Sequence, residues 1–528
     1  MTVRVCTGAG MRARETEAFA AGRDPYEVMG TAGEGVAAVI LARYPEVRTQ
    51  GAIVFAGTGN NGGDGWVIAG ALAREGCPVQ VEALGEPTTA DAQRAKGGAA
   101  SVALERAAER GAVTAPAVVV DALLGVGTMG EPRGAVAEAI ARIEALRAHG
   151  ARVVAVDLPS GIDATTGAGG RVVHADCTVT FDAMKQGLLH RRDEAGAIVV
   201  LDIGLGPIMD EAKARALGPA LIDAAWVRRA VPTIPAAAHK GVRRRIAIVG
   251  GGEGMAGAPL LAARGALRSG IGMVRLLVAP TNVPVVQGAL PEAMAARWPM
   301  TEEEQTPVLE WSHALVLGLG LGRGTKSRAL VERLLVTWRG PVVLDADGLN
   351  VFEGEPRTLG SLLGARPAIV TPHPVETARL MRLDPAAILA HRFVVGAELA
   401  KTLGAVVLLK GPPTVISAPD GRVAVVAAGS PALGTGGSGD VLSGIVTTLL
   451  AQLGDPFAAA AAGAWVHGRA GELAAGIDHP VLEQSARCSV RGATLGDVID
   501  ALPMAWRLDD PAPRAPILAV LPKVGGER

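Results

Sequence analysis

Short runs of consecutive apolar residues alternate with longer stretches of helical periodicity along this 528-residue chain. In the first half the runs fall at 52–56, 79–84, 117–120, 153–156, 178–181 and 198–203, and helical patterns at 65–75 and 135–149 separate several of them. Residues 7–44 also read as helical, with a mixed face at Met11 and Glu15. Runs this short and largely apolar, alternating with helical patterns, predict strands of a parallel sheet covered on both faces by helices. The alternation pauses over 204–241, where Pro207, Pro219, Pro232 and Pro235 leave no convincing strand and predict a connection with one or two helices. It then restarts, with strands predicted at 246–249, 274–278, 315–317, 342–344, 369–370, 406–409 and 423–426 and a long helix over 441–452. Two α/β domains follow, with the boundary near 220: one over 1–215, a second over 222–510, and a Pro-containing tail over 511–528 that carries no chemical motif.

Open parallel sheets bind ligands beyond the carboxyl ends of their strands, so the turns there carry the chemistry. In the first half, Gly57-Thr58-Gly59-Asn60-Asn61-Gly62-Gly63-Asp64-Gly65 follows a strand and opens a helix, which suits a phosphate; it lacks the Lys-Ser/Thr ending of a P-loop. Asn and Asp are also ordinary turn residues. Asn61, Asp121 and Ser160 lie at strand ends on one sheet edge and offer hard oxygen ligands suited to an alkali or alkaline-earth cation, although Asp at a strand end also caps helices. In the second half, Gly434-Thr435-Gly436-Gly437-Ser438-Gly439-Asp440 leads into the 441–452 helix. Its glycines and the helix dipole favour an anion, and Asp440 fits a base for a hydroxyl that attacks phosphorus, or a helix-start carboxylate beside a turn. Lys410 ends a strand beside a Gly turn, an arrangement that suits a nucleotide phosphate and is also usual at a solvated surface.

Composition removes several classes. A formal net charge of −1 leaves no basic excess for nucleic acid or anionic membrane, and 3% aromatic residues leave few stacking platforms for single strands. Apolar content of 49% is ample for large cores, yet no uninterrupted apolar stretch is long enough to span a membrane. The four cysteines, Cys6, Cys77, Cys177 and Cys488, form no CxxC pair, which argues against a zinc site or disulfide framework. The N-terminus shows no signal pattern, and a soluble cytoplasmic protein is the expectation.

Four motifs in order, Gly59–Gly65, Asp121-Ala122-Leu123-Leu124-Gly125, Val156-Asp157-Leu158-Pro159-Ser160-Gly161, and Ala175-Asp176 through Lys185-Gln186-Gly187-Leu188, resemble the NAD(P)H-hydrate epimerase family, the YjeF N-terminal domain. The resemblance implies a Rossmann-like three-layer fold and interconversion of the R and S epimers of NAD(P)H hydrate, the cofactor damaged by addition of water to its nicotinamide ring. It implies hydrate binding by Asn60, Asn61, Gly62, Gly63 and Asp64, by the loop Gly125, Val126, Gly127, Thr128, Met129, Gly130 and Glu131, and by Asp157. It also implies a potassium ion on Asn61, Asp121 and Ser160, and Asp157 is expected as the acid/base group at the epimerised carbon. Where that family usually reads Leu-Met-Glu-Asn-Ala-Gly, this chain has Val28-Met29-Gly30-Thr31-Ala32-Gly33.

In the second half, His239-Lys240-Gly241, Gly257-Ala258-Pro259, Leu344-Asp345-Ala346-Asp347, Thr371-Pro372-His373-Pro374, Lys410-Gly411 and Gly436-Gly437-Ser438-Gly439-Asp440 resemble the ribokinase-like superfamily, in its ADP- or ATP-dependent NAD(P)H-hydrate dehydratase branch. The resemblance implies a ribokinase-like α/β C-terminal domain that dehydrates the S epimer of NADH or NADPH hydrate with ADP as co-substrate, releasing AMP and phosphate. Asp440 is then the catalytic base. Ala258, Gly320, His373 and Asp440 line the hydrate site, and Lys410, Gly411, Pro412, Pro413, Thr414, Ser430, Gly436, Gly437, Ser438 and Gly439 hold the nucleotide. Ser430 and Leu433 stand where that branch commonly has Asn and Met. Magnesium is expected as charge compensation and a homo-oligomer as the assembly. The alternatives are a vitamin or sugar kinase with a regulatory N-terminal domain, which would accumulate a stable phosphorylated product, and an N-terminal half that acts only as a binding or scaffolding module.

Overall fold

The computed structural model describes residues 2–97, 104–105, 112–128, 130–298, 301–477, 490–509 and 513–524. The chain divides into two compact units. The first contains β1 (Val5–Cys6), β2 (Ala52–Ala56), β3 (Val79–Ala83), β4 (Val118–Ala122), β5 (Arg152–Val156), β6 (Cys177–Phe181), β7 (Met184–Lys185) and β8 (Ala197–Leu201). Its main sheet has the order β19-β8-β6-β5-β4-β2-β3, where β19 is Ile517–Leu521; β1 and β7 pair separately. Every neighbour pair from β8 to β3 is parallel, and β19 closes the edge antiparallel to β8. Strands β2, β4, β6 and β8 are buried at every position, which is why they read as continuous apolar runs. The segment read as a featureless tail therefore supplies an edge strand to this sheet.

The glycine-rich stretch after β2 is only partly a turn. The helix Asn60–Arg74 begins five residues before the periodic pattern at 65–75 does. A methyl group on Gly62 would stand 1.9 Å from the Gly57 carbonyl oxygen, and one on Gly57 would stand 2.0 Å from the Leu123 carbonyl oxygen. These glycines let the first helical turn press against the ends of β2 and β4, a close approach that a Cβ forbids. The 7–44 region resolves into two helices, Gly8–Ala20 and Pro25–Arg43; Asp24 caps the second by accepting from the Tyr26 N–H.

The second unit holds β9 (Ala220–Leu221), β10 (Arg245–Gly250), β11 (Met273–Val278), β12 (Met294–Arg297), β13 (Ala314–Leu319), β14 (Val342–Leu344), β15 (Ala368–Val370), β16 (Val406–Leu409), β17 (Thr414–Ser417) and β18 (Val423–Val426). Their order is β12-β11-β10-β13-β14-β15-β16-β17-β18-β9, parallel from β12 to β16 and antiparallel through β17 and β18. Strand β17 was not anticipated, because Gly411, at φ 141°, and two prolines turn the chain back within the stretch read as a nucleotide loop. The helix Ser438–Leu453 is buried along its length from Val441 to Leu450, and Pro456–Ala474 packs beside it. The second helix is rich in alanine and glycine and buried on nearly every side, His467, Arg469 and Glu472 included, so it carries no clear amphipathic period. Among the described residues no helix is long and apolar enough to cross a membrane.

Because the Gly62 contact is backbone against backbone, Gly62→Ala is expected to cost the first unit about 1–3 kcal/mol. Gly59→Ala, with nothing within 4 Å, should stay within about 0.5 kcal/mol. Urea unfolding curves of the two variants check the contrast.

Candidate active sites

In the first unit, the ends of β2, β4 and β5 gather most of the expected residues. Asp121, fully buried at the end of β4, accepts from the Ser160 hydroxyl at 2.7 Å, the Ser160 N–H at 2.8 Å and the Leu123 N–H at 3.3 Å. Ser160 Oγ accepts from the Leu124 N–H at 3.1 Å, while the Asn61 amide donates to the Leu124 carbonyl at 3.0 Å. Asn61, Asp121 and Ser160 are thus joined through one turn, Leu123–Leu124. Burial pushes the Asp121 carboxyl up to about 6, against the pull of the Ser160 and Leu123 bonds. Among the described residues it has no basic partner, so an all-oxygen set with one buried carboxylate suits a monovalent cation.

Beside it, a cavity of about 410 Å³ is lined by Gly125, Thr128, Gly130 and Glu131 and, from the segment after β5, by Pro159 and Asp163. The loop predicted to hold the hydrate therefore faces an open volume; Met129 lies outside the described residues. Arg12, on the helix Gly8–Ala20, donates to the Val126 carbonyl at 2.6 Å and tethers that loop. The N–H groups of Asn60, Asn61 and Gly62 begin the helix and, among the described residues, find no acceptor in the chain. Asn60 Oδ1 instead accepts from the Thr89 hydroxyl at 2.6 Å. Asp157 follows β5 in the left-handed region, at φ 65°. The departure at Thr31 is exposed, with its hydroxyl donating to the Glu27 carbonyl at 3.0 Å.

Sequence reasoning gave no role to Lys185, Thr180 or Glu15, and it gave Asp64 only a part in binding the hydrate. Lys185 and Thr180 contact Asp157 directly. Glu15 is pushed up to about 7 and Asp64 well above the usual carboxylate range, in both cases by burial and then by the Asp157 charge. Asp64 and Lys185 sit in the quoted motifs but with other roles or none. Glu15 arrives from a helix distant in sequence, and no local signal marks it.

In the second unit, Asp440 sits in the first turn of the helix Ser438–Leu453. Among the described residues the N–H groups of Gly436, Gly437, Gly439 and Asp440 have no acceptor in the chain, which leaves them available to an anion. Gly437 adopts φ 93°, which only glycine takes readily. Ser438 Oγ meets His467 Nε2 at 3.3 Å, and burial holds that imidazole at about 4, so it is neutral at pH 7.

A chain of charges runs behind the loop. Lys410 Nζ lies 2.8 Å from Asp345 Oδ1 and 3.7 Å from Glu376 Oε2. Burial opposes the Lys410 charge, but Asp345 and Glu376 outweigh it and hold the ammonium above its ordinary value. The Ser443 hydroxyl, one turn after Asp440, donates to Asp345 Oδ2 at 2.7 Å. A methyl group on Gly439 would stand 3.2 Å from Lys410 Nζ, so the glycine admits the lysine against the loop. Asp440 is pushed up to about 7, by burial first and by the Asp345 carboxylate next, with Lys410 pulling the other way.

The other expected residues divide. Ala258 and Gly320 come together: a methyl on Gly320 would stand 3.3 Å from Ala258 Cβ. His373 caps the helix Pro374–Met381, its Nδ1 accepting from the Val375 and Glu376 N–H groups while the Glu376 carboxylate accepts from its own N–H. The Ser430 hydroxyl is spent inside the fold, donating to the Gly471 carbonyl at 2.7 Å and accepting from the Ala432 N–H. Thr414 Oγ1 likewise donates to the Gly411 carbonyl at 3.0 Å. These two side chains shape the loop. Asp345 stood in a motif without a role, Glu376 lies two residues beyond the Thr371–Pro374 motif, and Ser443 was legible only as the residue three after Asp440.

Two family models match the chain: YjeF-related protein N-terminus over residues 25–187 and NAD(P)H-hydrate dehydratase over residues 246–489. Together they define a fusion of two enzyme domains. A Moorella thermoacetica protein named bifunctional NAD(P)H-hydrate repair enzyme Nnr is 36% identical over 487 residues, covering 88% of each chain. An Escherichia coli protein of the same name is 35% identical over 490 residues, covering 90% of this chain and 88% of that one. The solved ADP/ATP-dependent NAD(P)H-hydrate dehydratase from Bacillus subtilis, co-crystallised with ATP/Mg2+, aligns with 55% of this chain and 99% of its own at 28% identity and a TM-score of 0.46. The chain belongs to the bifunctional NAD(P)H-hydrate repair enzyme family.

A reaction that uses Asp440 as proton acceptor gains rate as pH rises through about 7, because the carboxyl must ionise. Asp345→Asn removes the like charge that raises it, and the acidic limb is expected to move to lower pH. Initial rates measured from pH 5.5 to 9 in about half-unit steps check the direction.

Proposed function

We propose that the two units repair hydrated nicotinamide cofactors in sequence: the first interconverts the R and S epimers of NADH or NADPH hydrate, and the second dehydrates the S epimer at the expense of ADP. The observation that carries the reading is the second unit's pairing of four unbonded N–H groups, at Gly436, Gly437, Gly439 and Asp440, with a carboxyl at about 7. Hydroxide leaves poorly, and phosphorylation converts it to phosphate. Asp440 takes the hydroxyl proton as the oxygen attacks the β-phosphorus of ADP; the bond to AMP breaks, and the N–H groups stabilise the charge on the transferring group. The carbon–oxygen bond then breaks, phosphate leaves with the electron pair, and loss of a ring proton restores the double bond. Lys410 supports this by holding Asp345 and Glu376 against the loop. Magnesium is assigned to the nucleotide, where it supplies charge neutralisation.

In the first unit, Asn60 to Asp64, the Gly125–Glu131 loop and Asp157 are assigned to the hydrate, with Asp157 moving the proton at the hydroxyl-bearing carbon. Asn61, Asp121 and Ser160 are assigned to potassium, whose charge would offset the buried Asp121 carboxylate.

Asp440→Asn is expected to lower ADP-dependent dehydration by about 10²-fold or more while R and S hydrates still interconvert. Asp157→Asn is expected to do the reverse. Chromatography of the two epimers, with and without ADP, reads both reactions in one preparation. Accumulation of a stable phosphorylated product would instead favour a kinase.

A further inference from the structure

The first unit buries a lysine that the assignment above leaves without work. Lys185 ends β7, fully shielded from solvent. Its Nζ lies 2.6 Å from Asp157 Oδ1, 3.0 Å from Thr180 Oγ1 and 2.9 Å from the Phe181 carbonyl oxygen. Three oxygens thus account for the three N–H donors of the ammonium. Thr180 accepts from Lys185, so its own proton is committed to Asp157 Oδ1, at 3.0 Å. Oδ1 is held by two donors. Oδ2 accepts no hydrogen bond among the described residues.

The surroundings make this pairing selective. Three further titratable groups face Asp157, namely Cys6 on β1, Glu15 on the helix Gly8–Ala20 and Asp64 near the start of Asn60–Arg74, and a fourth, Asp182 after β6, faces Lys185. Asp182 has its own partner, Arg14, at 3.3 Å. Burial pushes the Cys6 thiol up to about 11, so it is neutral. Glu15 and Asp64 make no ion pair among the described residues, and burial keeps both above the usual carboxylate range. Asp157 is therefore the carboxyl of this cluster that touches a buried cation. An apolar side chain of similar volume would fill the space of Lys185 without a charge to desolvate, so packing does not account for it.

We propose that Lys185, with Thr180 bonded to both it and the carboxylate, is the positioning residue of the first unit's reaction: it fixes a cation against Asp157 Oδ1 and leaves Oδ2 as the oxygen that meets the substrate. The proposal rests on the epimerase reading of this unit.

The test uses the full chain, pure R hydrate without nucleotide, and the rate of S-epimer formation from pH 5 to 9. Dehydration of S hydrate with ADP in the same preparations reports the integrity of the second unit. Lys185→Met is expected to lose about 10²-fold in epimerisation at pH 7, with the acidic limb moved up by about one unit or more. Lys185→Arg, which keeps the cation, should restore the wild-type limb at a lower rate. Thr180→Val, which removes one hydroxyl and nearly keeps the buried shape, is the second variant and should lose about 3–10-fold and shift the limb in the same direction. A uniform loss at every pH, or no loss, in Thr180→Val or Lys185→Met overturns the proposal. Full epimerisation by Asp157→Asn would instead sink the assignment of Asp157 as the reacting group.

Discussion

Both units depend on a helix being pressed so closely onto neighbouring backbone that only glycine fits at the contact. In the first, Gly62 meets the Gly57 carbonyl and Gly57 meets the Leu123 carbonyl. In the second, a methyl on Gly444 would stand 1.9 Å from the Ala262 carbonyl oxygen, and one on Gly265 would stand 2.5 Å from that of Val441. The approach fixes where the helix begins and therefore where its unbonded N–H groups lie. Such groups suit an anion at no cost in side chains. The glycines of the two loops are read too narrowly if they are taken only as phosphate contacts, since several of them are demanded by packing beneath the site.

The second shared device is a buried lysine that stabilises one carboxylate in a group of several. Lys185 holds Asp157, and Lys410 holds Asp345. The two sites use the device in opposite senses. In the proposed epimerase site the ion-paired carboxylate is itself the reacting group, while Glu15 and Asp64 remain uncompensated. In the dehydratase site the ion-paired carboxylate is the neighbour, and its negative charge helps to raise Asp440 to about 7. A base poised near neutrality suits removal of a hydroxyl proton during phosphoryl transfer.

Much of this organisation was legible in the chain before any coordinates. Continuous apolar runs announced two parallel sheets because strands covered on both faces have no polar side. The strand-end turns announced where ligands sit, and Asp121, Ser160, Asp345 and Asp440 fall at such ends or at the helix start that follows. The helix Pro456–Ala474 was not legible, since it is buried on nearly every side and its small residues give it no period. Strand β17 was hidden by the prolines and glycine that create its turn, and β19 by its distance in sequence from the sheet it joins.

The sequence by itself determined the class of each domain, the order of its motifs and the residue types available for chemistry, because periodicity and turn composition are local properties. The tertiary structure decided which of those residues do different work. It spent the hydroxyls of Ser430 and Thr414 inside the loop and made His373 a helix cap. It placed Lys185 against Asp157 and Lys410 against Asp345. Pairings of that kind join residues on different elements, and their energies depend on burial and distance, which no local pattern encodes.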